Sequence, residues 1–286
     1  MEIGLHALGI GPGADPEIIA ATARHAERRG FATLWSGEHV VMVDQPTSRY
    51  PYTSDGRIAV PADADWLDPM ACLAFAAAHT STIRLATGIV LLPEHNPLIM
   101  AKQVASLDRL SHGRFTFGMG IGWARDEFDA LGIPFERRGE RAAAYVEAMR
   151  SVWGSELATY ESEFVAFRDV RVNPKPTQSA LPVVLGGNSD RALARIAAWA
   201  DGWYGFNLDD VEAVADRVAV LRSHCDEKGR AFAGLSLAVA LRAPSVADRS
   251  DLADLGVTEL VLVESPPDAV ADVPRWIEEL GDRWIP

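Results

Sequence analysis

Short apolar segments alternate with longer helix-like segments along the whole of this 286-residue chain, and this alternation restricts the fold more than any other feature. Several short segments are apolar at nearly every position, which is typical of parallel strands buried on both faces. We predict strands at Ile3–Leu8, Thr33–Ser36, Arg84–Leu91, Phe115–Gly120, Pro182–Leu185, Gly202–Gly205, Leu235–Leu241 and Glu259–Val263. Eight strands alternating with about eight helices predict an α/β fold, a TIM-like (β/α)8 barrel.

Capping signals mark where several helices begin and end. An Asp, Asn or Ser side chain accepts hydrogen bonds from the free N–H groups of a first turn, and proline fits the first helical position. Such pairs occur at Asp15–Pro16, Asp68–Pro69, Asn96–Pro97 and Ser265–Pro266. Gly30 and Gly281 stand where we expect helices to end in a glycine cap.

A doubly wound open sheet is the alternative fold, and it predicts a glycine-rich turn after the first strand. Gly9, Gly11 and Gly13 do follow that strand, but Pro12 interrupts them. No acidic residue at the end of the second strand supports a ribose contact, so we reject a dinucleotide-binding fingerprint.

Two long connections interrupt the alternation. Residues at about 38–66 follow the second strand on the catalytic rim of the predicted barrel, where a loop of this length usually forms a lid or binding loop. Residues at about 154–181 contain alternating aromatic side chains and predict a small hairpin excursion. We expect a single barrel domain over residues 1–286.

Composition narrows the partners. The net charge is −13 with acidic residues spread along the chain, which disfavours nucleic acid and anionic membranes as partners. No apolar run is long enough to span a bilayer, and the N-terminus lacks a basic region, so we expect a cytoplasmic protein. The two cysteines have no metal-ligand spacing, and we expect no metal. A small molecule is the expected ligand.

The strongest chemical signal is Glu38–His39, directly after an apolar strand. On a barrel this position lies at the mouth, where active sites form, and histidine is the natural proton donor or acceptor near neutral pH. A structural histidine on the rim is the equal alternative. Among the other histidines, His6 could point into the barrel from the first strand, and His95 is a weaker candidate on the same rim.

Glycines in three strands suggest places where a ligand approaches the backbone. Gly88 interrupts the third strand, which indicates a bulge or a close approach. Gly118, Gly120 and Gly122 leave one face of the fourth strand bare, so that a flat ring could lie against it. The alternative in both places is close packing inside the barrel.

The fifth strand leads through Gly186 and Gly187 into a helix that begins near Asn188 and Ser189. Free N–H groups and the helix dipole favour a phosphate at such a position, although an ordinary capped helix start would look similar. Arg137, Arg138 and Arg141 open another helix. They are expected to form a solvated face, although they could reach the tail of a cofactor.

Taken together, these motifs resemble the bacterial luciferase-like superfamily, and in particular its deazaflavin-dependent oxidoreductases of actinobacteria. The stretches that carry the resemblance are LWSGEHV, RLATGIVLLPEHNPLIMAKQVASLDRLSHGRFTFGMGIGWARDEFDALGIPFERRGER and PVVLGGNSDRALARIAAWADGW. The resemblance implies a luciferase-like (β/α)8 barrel that binds its cofactor ring at the C-terminal mouth. It also implies a homodimer.

The resemblance assigns roles to individual residues. It implies that His39 transfers a proton, with Glu38 beside it as the second catalytic residue, and that Gly88–Ile89 is a cis peptide behind the ring. The cofactor-binding residues that it implies are Thr87, Gly88, Ile89, Gly120, Gly122, Trp123, Gly186, Gly187, Asn188 and Ser189. Trp123 stands where relatives that oxidise a sugar phosphate are expected to carry a carboxylate, which points to a more apolar substrate.

The function that we expect from the resemblance is hydride transfer between coenzyme F420 and a small organic substrate. Two alternatives stay open at this point. One is an FMN-dependent monooxygenase supplied by a separate flavin reductase, and the other is a non-catalytic flavin- or deazaflavin-binding protein on the same fold.

Overall fold

A closed barrel of parallel strands forms the centre of the computed structural model, which describes residues 1–285. The strands are β1 (Glu2–Leu8), β2 (Thr33–Ser36), β3 (Arg84–Thr87), β4 (Val90–Leu91), β5 (Phe115–Gly120), β6 (Ala158–Glu161), β7 (Ala166–Val170), β8 (Val183–Gly186), β9 (Gly202–Leu208), β10 (Ser236–Leu241) and β11 (Glu259–Val263). The barrel order is β1, β2, β3 with β4, β5, β8, β9, β10 and β11, which pairs again with β1. Because β3 and β4 both pair with β5, they act as two halves of one barrel strand.

Helices surround the barrel and confirm the predicted TIM-like (β/α)8 fold. They are α1 (Pro16–Arg29), α2 (Pro69–Ala77), α3 (Pro97–Leu110), α4 (Arg125–Leu131), α5 (Arg138–Gly154), α6 (Asp190–Trp199), α7 (Val211–Glu227), α8 (Asp248–Asp254) and α9 (Val273–Trp284). Within residues 1–285, no helix combines the length and the apolar character that crossing a membrane would require.

Three of the four predicted helix starts are correct. The side chains of Asp15, Asp68 and Asn96 each accept hydrogen bonds from N–H groups of the turn that follows. The start at Ser265–Pro266 is wrong, because these residues line the barrel mouth and the last helix begins only at Val273.

One of the two predicted helix ends is also wrong. Gly30 does end α1 in a left-handed conformation with φ 93°. Gly281, in contrast, lies inside α9, which continues to Trp284 because that indole is buried in the core. The glycine makes room for Arg29 of α1, since a Cβ on Gly281 would lie 2.2 Å from the Arg29 Nε atom.

The barrel strand that begins with β3 is interrupted at Gly88–Ile89, whose peptide bond is cis as the resemblance implied. The interruption fills the bare face that the glycines of β5 leave. A Cβ on Gly118 would lie 1.8 Å from the carbonyl oxygen of Thr87, and a Cβ on Gly120 would lie 2.4 Å from Ile89 Cδ1. At Gly118 and Gly120, therefore, close packing inside the barrel explains the missing side chains, because Thr87 and Ile89 occupy the space that the glycines leave.

The residues between β2 and α2 cross the barrel mouth as a loop, and hydrogen bonds along the loop attach it to the rest of the protein. The Asp126 carboxylate of α4 accepts hydrogen bonds from the backbone N–H groups of Thr47 and Ser48. Farther along, the Tyr52 carbonyl accepts hydrogen bonds from Asn207 at 2.9 Å and Arg242 at 3.0 Å. The second long connection contains the predicted hairpin, formed by β6 and β7.

We predict that Gly118→Ala destabilises the barrel by about 3 kcal/mol or more, because the new methyl group would overlap a backbone carbonyl that cannot rotate away. The control is Gly154→Ala, where the added Cβ meets no atom within 4 Å. Urea unfolding monitored by circular dichroism measures both variants. Equal stability of the two variants would show that the seam between β3 and β5 tolerates expansion.

Candidate active site

A cavity of about 1100 Å³ opens at the C-terminal ends of the barrel strands. The sequence-predicted site residues that line it are Glu38, His39, Gly88, Ile89, Gly120, Gly122, Trp123, Gly186, Gly187, Asn188 and Ser189. Thr87 is the exception. Its hydroxyl donates to the Gly118 carbonyl at 2.6 Å and accepts from the Gly118 N–H at 2.9 Å, so it joins two strands behind the cavity.

His39 is held in one orientation by a buried carboxylate. Its Nδ1 atom lies 2.8 Å from Oε2 of Glu127, which belongs to α4 and is 2% exposed. The other oxygen of Glu127 accepts hydrogen bonds from the backbone N–H groups of Val40 and Val41. Because Glu127 occupies the Nδ1 atom of His39, the Nε2 atom is left to exchange a proton with a ligand in the cavity.

Glu38 contacts the neighbouring strand with one oxygen atom. Its Oε2 accepts hydrogen bonds from the backbone N–H of Leu91 at 2.7 Å and from His95 Nε2 at 2.9 Å. Burial lowers the pKa of His95, but the bonded Glu38 carboxylate and the negative charges of Asp68 and Glu127 together raise it, so that the net pKa lies above its usual value. His95 does not line the cavity. Glu38 therefore attaches the start of the loop to the end of β4.

Glu94 is a third carboxyl group behind the same wall. It is 8% exposed, and neither of its oxygen atoms has a hydrogen-bond partner within residues 1–285. Burial, together with the negative charges of Glu127 and Glu38, raises the pKa of Glu94 to about 9. At neutral pH this carboxyl group therefore keeps its proton, which reduces the repulsion among the three side chains.

The N-terminus of α6 forms the opposite side of the cavity. Gly187 has φ +121°, and a Cβ there would lie 3.1 Å from the Cβ of Ala192, so glycine keeps the backbone open to a ligand. Ser189 caps the helix through the N–H of Ala192. The Oδ1 atom of Asn188 is buried and has no hydrogen-bond partner in the described part of the chain. The open backbone at Gly187 and the first turn of the helix form a polar cradle of the kind that binds phosphate.

Two arginines add positive charge at this side. Arg138 and Arg195 both line the cavity, and neither forms an ion pair with a carboxylate of residues 1–285, whereas the neighbouring Arg125 and Arg137 do. Burial and the adjacent Arg195 lower the pKa of Arg138. In a chain with net charge −13, unpaired guanidinium groups beside a helix N-terminus favour a bound anion.

Aromatic side chains line the mouth between these two sides. Trp123, Tyr50, Tyr52 and Phe206 form a chain of edge-on contacts, with ring centroids 5.2 Å, 5.4 Å and 6.1 Å apart. The His39 ring lies against the edge of Trp123 at 5.8 Å. The proton-exchanging side of the cavity is therefore mostly apolar.

Sequence reasoning missed Glu127 and Arg195. Both lie on helices, and only the folded chain brings them to the mouth. Glu127 carries a weak signal, because an acidic residue in the first turn of a helix that follows a glycine-rich strand end is well placed to bind the adjacent loop. Arg195 carries none, since a helical arginine is usually solvated.

The comparison with known proteins identifies the family. The sequence model of the luciferase-like monooxygenase family matches residues 4–272. This chain belongs to that family. The family contains oxidoreductases and monooxygenases. The proteins described next include an FMN-dependent relative and an F420-dependent protein of the same fold.

Three relatives show the range. An uncharacterized protein of Mycobacterium tuberculosis is 39% identical over 92% of this chain and 93% of its own length. The coenzyme F420 dependent tetrahydromethanopterin reductase of Methanopyrus kandleri has the same fold, with a TM-score of 0.77, 19% identity, and coverage of 100% of this chain and 98% of that one. The FMNH(2)-dependent dimethylsulfone monooxygenase of Pseudomonas putida is 28% identical over 61% of this chain and 48% of its own length.

We predict that Glu94→Gln gains stability over the wild type as the pH rises. The pKa of Glu94 is about 9 in the folded chain and 4.5 as its ordinary value. Between these values the unfolded chain releases a proton that the folded chain retains, so the wild type loses stability there and the glutamine variant does not.

The difference in unfolding free energy between variant and wild type should grow by about 2–4 kcal/mol from pH 5 to pH 8.5, measured by urea unfolding. Gly154→Ala, which removes no titratable group and whose added Cβ meets no atom within 4 Å, is the control and should give a difference that does not change with pH. The same constant difference for Glu94→Gln would mean that this carboxyl group ionises normally in the folded protein.

Proposed function

We propose that this protein is an F420-dependent oxidoreductase that transfers a hydride between the deazaflavin ring and a small organic substrate. The observation that carries the proposal is the position of His39. Its free Nε2 atom opens onto a cavity that has an apolar aromatic mouth and an anion-binding cradle on its other side. A proton-transfer group, an apolar substrate space and a phosphate cradle in one cavity suit this reaction class.

The residues present fit an anionic flavin-type cofactor. The open backbone at Gly187, the helix cap at Ser189 and the unpaired guanidinium groups of Arg138 and Arg195 would hold its phosphate. Asn188 lines the cavity beside these groups, and its Nδ2 donates to the Phe206 carbonyl. Gly88–Ile89 and Gly120 would form the wall beside the ring.

The division of labour follows from the contacts. When bound, the deazaflavin supplies or accepts the hydride at a ring carbon. His39 Nε2 gives or takes the accompanying proton at the substrate oxygen, and Glu127 holds the imidazole in the orientation that this requires. Glu38 positions the loop that carries His39. Trp123 and the loop tyrosines exclude water from the reacting groups.

A second candidate is an FMN-dependent monooxygenase, and the dimethylsulfone monooxygenase relative favours it. The same phosphate cradle would serve FMN. The F420 proposal has the support of the resemblance over the central stretch of the sequence and of the similarity in fold to an F420-dependent reductase.

We predict that the purified protein binds F420 at least tenfold more tightly than FMN, a difference of about 1.4 kcal/mol. Parallel spectral titrations of the two cofactors measure this preference. Equal or tighter binding of FMN would favour the monooxygenase candidate. Binding of F420 without turnover of any aldehyde, enone or alcohol in a test panel would favour a carrier protein.

We predict that His39→Ala lowers the turnover rate by about 10²–10⁴-fold, the usual loss when a well-placed general acid–base is removed. Affinity for the cofactor should change far less. His25→Ala, on the outer helix α1, is the control and should keep the wild-type rate. A wild-type rate and pH profile in His39→Ala would assign proton transfer to another group.

A further inference from the structure

His6 is a buried histidine that the proposed reaction does not use. It lies on β1 with its side chain inside the barrel, is 8% exposed, and lines the floor of the cavity. Its neighbours there are the backbones of Gly37 and Gly88 and the rings of Tyr204 and Phe206. None of these groups is charged, and burial lowers the pKa of His6 to about 4. The imidazole is therefore neutral at pH 7 and carries a single proton.

Tyr204 determines which nitrogen carries that proton. Its hydroxyl lies 2.9 Å from His6 Nδ1 and has no other hydrogen-bond partner within residues 1–285. The tyrosine is 1% exposed, and its ring stacks on Trp35 at 4.7 Å, so the His6 nitrogen is the acceptor that the structure places within reach of the hydroxyl. A buried O–H group without an acceptor is costly, so the Tyr204 hydroxyl donates to Nδ1. The proton of His6 is consequently on Nε2.

The protonated nitrogen faces the cavity. A Cβ on Gly37 would lie 3.4 Å from His6 Nε2, and this glycine leaves the approach to the nitrogen open. The Nε2 atom has no hydrogen-bond partner in the described residues, and it is not among their buried unsatisfied atoms. It is accessible from the cavity and presents an N–H donor whose direction is fixed by the Tyr204 contact.

We propose that His6 is a cofactor-binding residue whose Nε2–H group donates a hydrogen bond to an acceptor atom of the bound ring, a carbonyl oxygen or an unprotonated ring nitrogen. This inference rests on the proposed function, because it takes the occupant of the cavity to be a flavin-type ring. The position fits such a contact. His6 adjoins Gly88, beside the wall assigned to the ring, and the walls near it are otherwise apolar.

The tautomer is tested first, on protein without cofactor. Two-bond ¹H–¹⁵N correlation spectra of ¹⁵N-histidine-labelled protein distinguish the Nε2–H form from the Nδ1–H form, and the signals of His6 are those missing from His6→Asn. We expect the Nε2–H form alone in the wild type and a mixture of both forms in Tyr204→Phe. A wild-type spectrum with the Nδ1–H form, or with a mixture, would overturn the inference.

The ring contact is tested by titrating F420 and FMN into the wild type and into His6→Phe and His6→Asn. Loss of the donor should weaken binding by about 10- to 100-fold and shift the absorption maximum of the bound cofactor. His25→Ala is the matched control and should bind as the wild type does. Near-ultraviolet circular dichroism checks the fold, and His6→Asn provides the comparison if the larger phenylalanine disturbs the barrel floor.

The outcomes separate the two proposals. If the wild type binds a cofactor and both folded His6 variants bind it equally well with an unchanged spectrum, the proposed function stands and the role of His6 is wrong. If the wild type binds neither cofactor, the proposed function fails and the ring contact fails with it, even where the tautomer is as expected.

Discussion

The barrel closes at the seam between the interrupted strand, β3 with β4, and β5, and the geometry of the site depends on that closure. The Thr87 hydroxyl and the backbone of Gly118 exchange two hydrogen bonds across the seam, just before the interruption at Gly88–Ile89. The pairing of these strands determines where the residues that follow them lie. Glu94 and His95 follow one side, and Trp123 and Glu127 follow the other. His39 follows β2, which pairs with β3, and β3 in turn pairs with β5, which leads to Glu127. The contact between His39 and Glu127 therefore depends on the backbone geometry of three consecutive barrel strands.

Negative and positive side chains lie on opposite sides of the barrel mouth, a separation that the net charge of the chain does not reveal. Carboxyl groups gather behind His39, where they hold the imidazole and the loop, while unpaired arginines gather near the N-terminus of α6. A ligand with an anionic tail and an uncharged reactive head would be oriented by this polarity before any specific contact formed. The same division explains why an acidic protein can contain an anion cradle.

The sequence predicts the barrel well because its signals are local. Strands buried on both faces are apolar at nearly every position. Asp15, Asp68 and Asn96 cap helices through atoms only two or three residues away. The prediction at Gly281 is wrong because a residue distant in the sequence determines the local structure there. Gly281 looks like a helix end, but its missing side chain accommodates Arg29 from another helix.

The candidate site follows the same rule. Residues at the ends of strands, such as His39, Gly122 and Gly187, were predictable, since barrel topology places all strand ends at one mouth. Glu127 and Arg195 were not, because their function depends on which helix face turns toward the cavity. The bare face of β5 was visible in the sequence, but only the structure reveals that Ile89 fills part of it.

The attachment of the loop across the mouth has a consequence for how new specificities can arise on this scaffold. The hydrogen bonds that attach the middle of the loop use the backbone of Thr47 and Ser48, the Thr47 hydroxyl and the carbonyl of Tyr52. The phenol rings of Tyr50 and Tyr52 take no part in them. The contacts that hold the loop in place are thus separate from the side chains with which the loop lines the cavity. Replacing the side chains of Tyr50 and Tyr52 would reshape the space for a substrate while the backbone of the loop keeps its position. These two positions are therefore where substrate specificity can diverge or be redesigned.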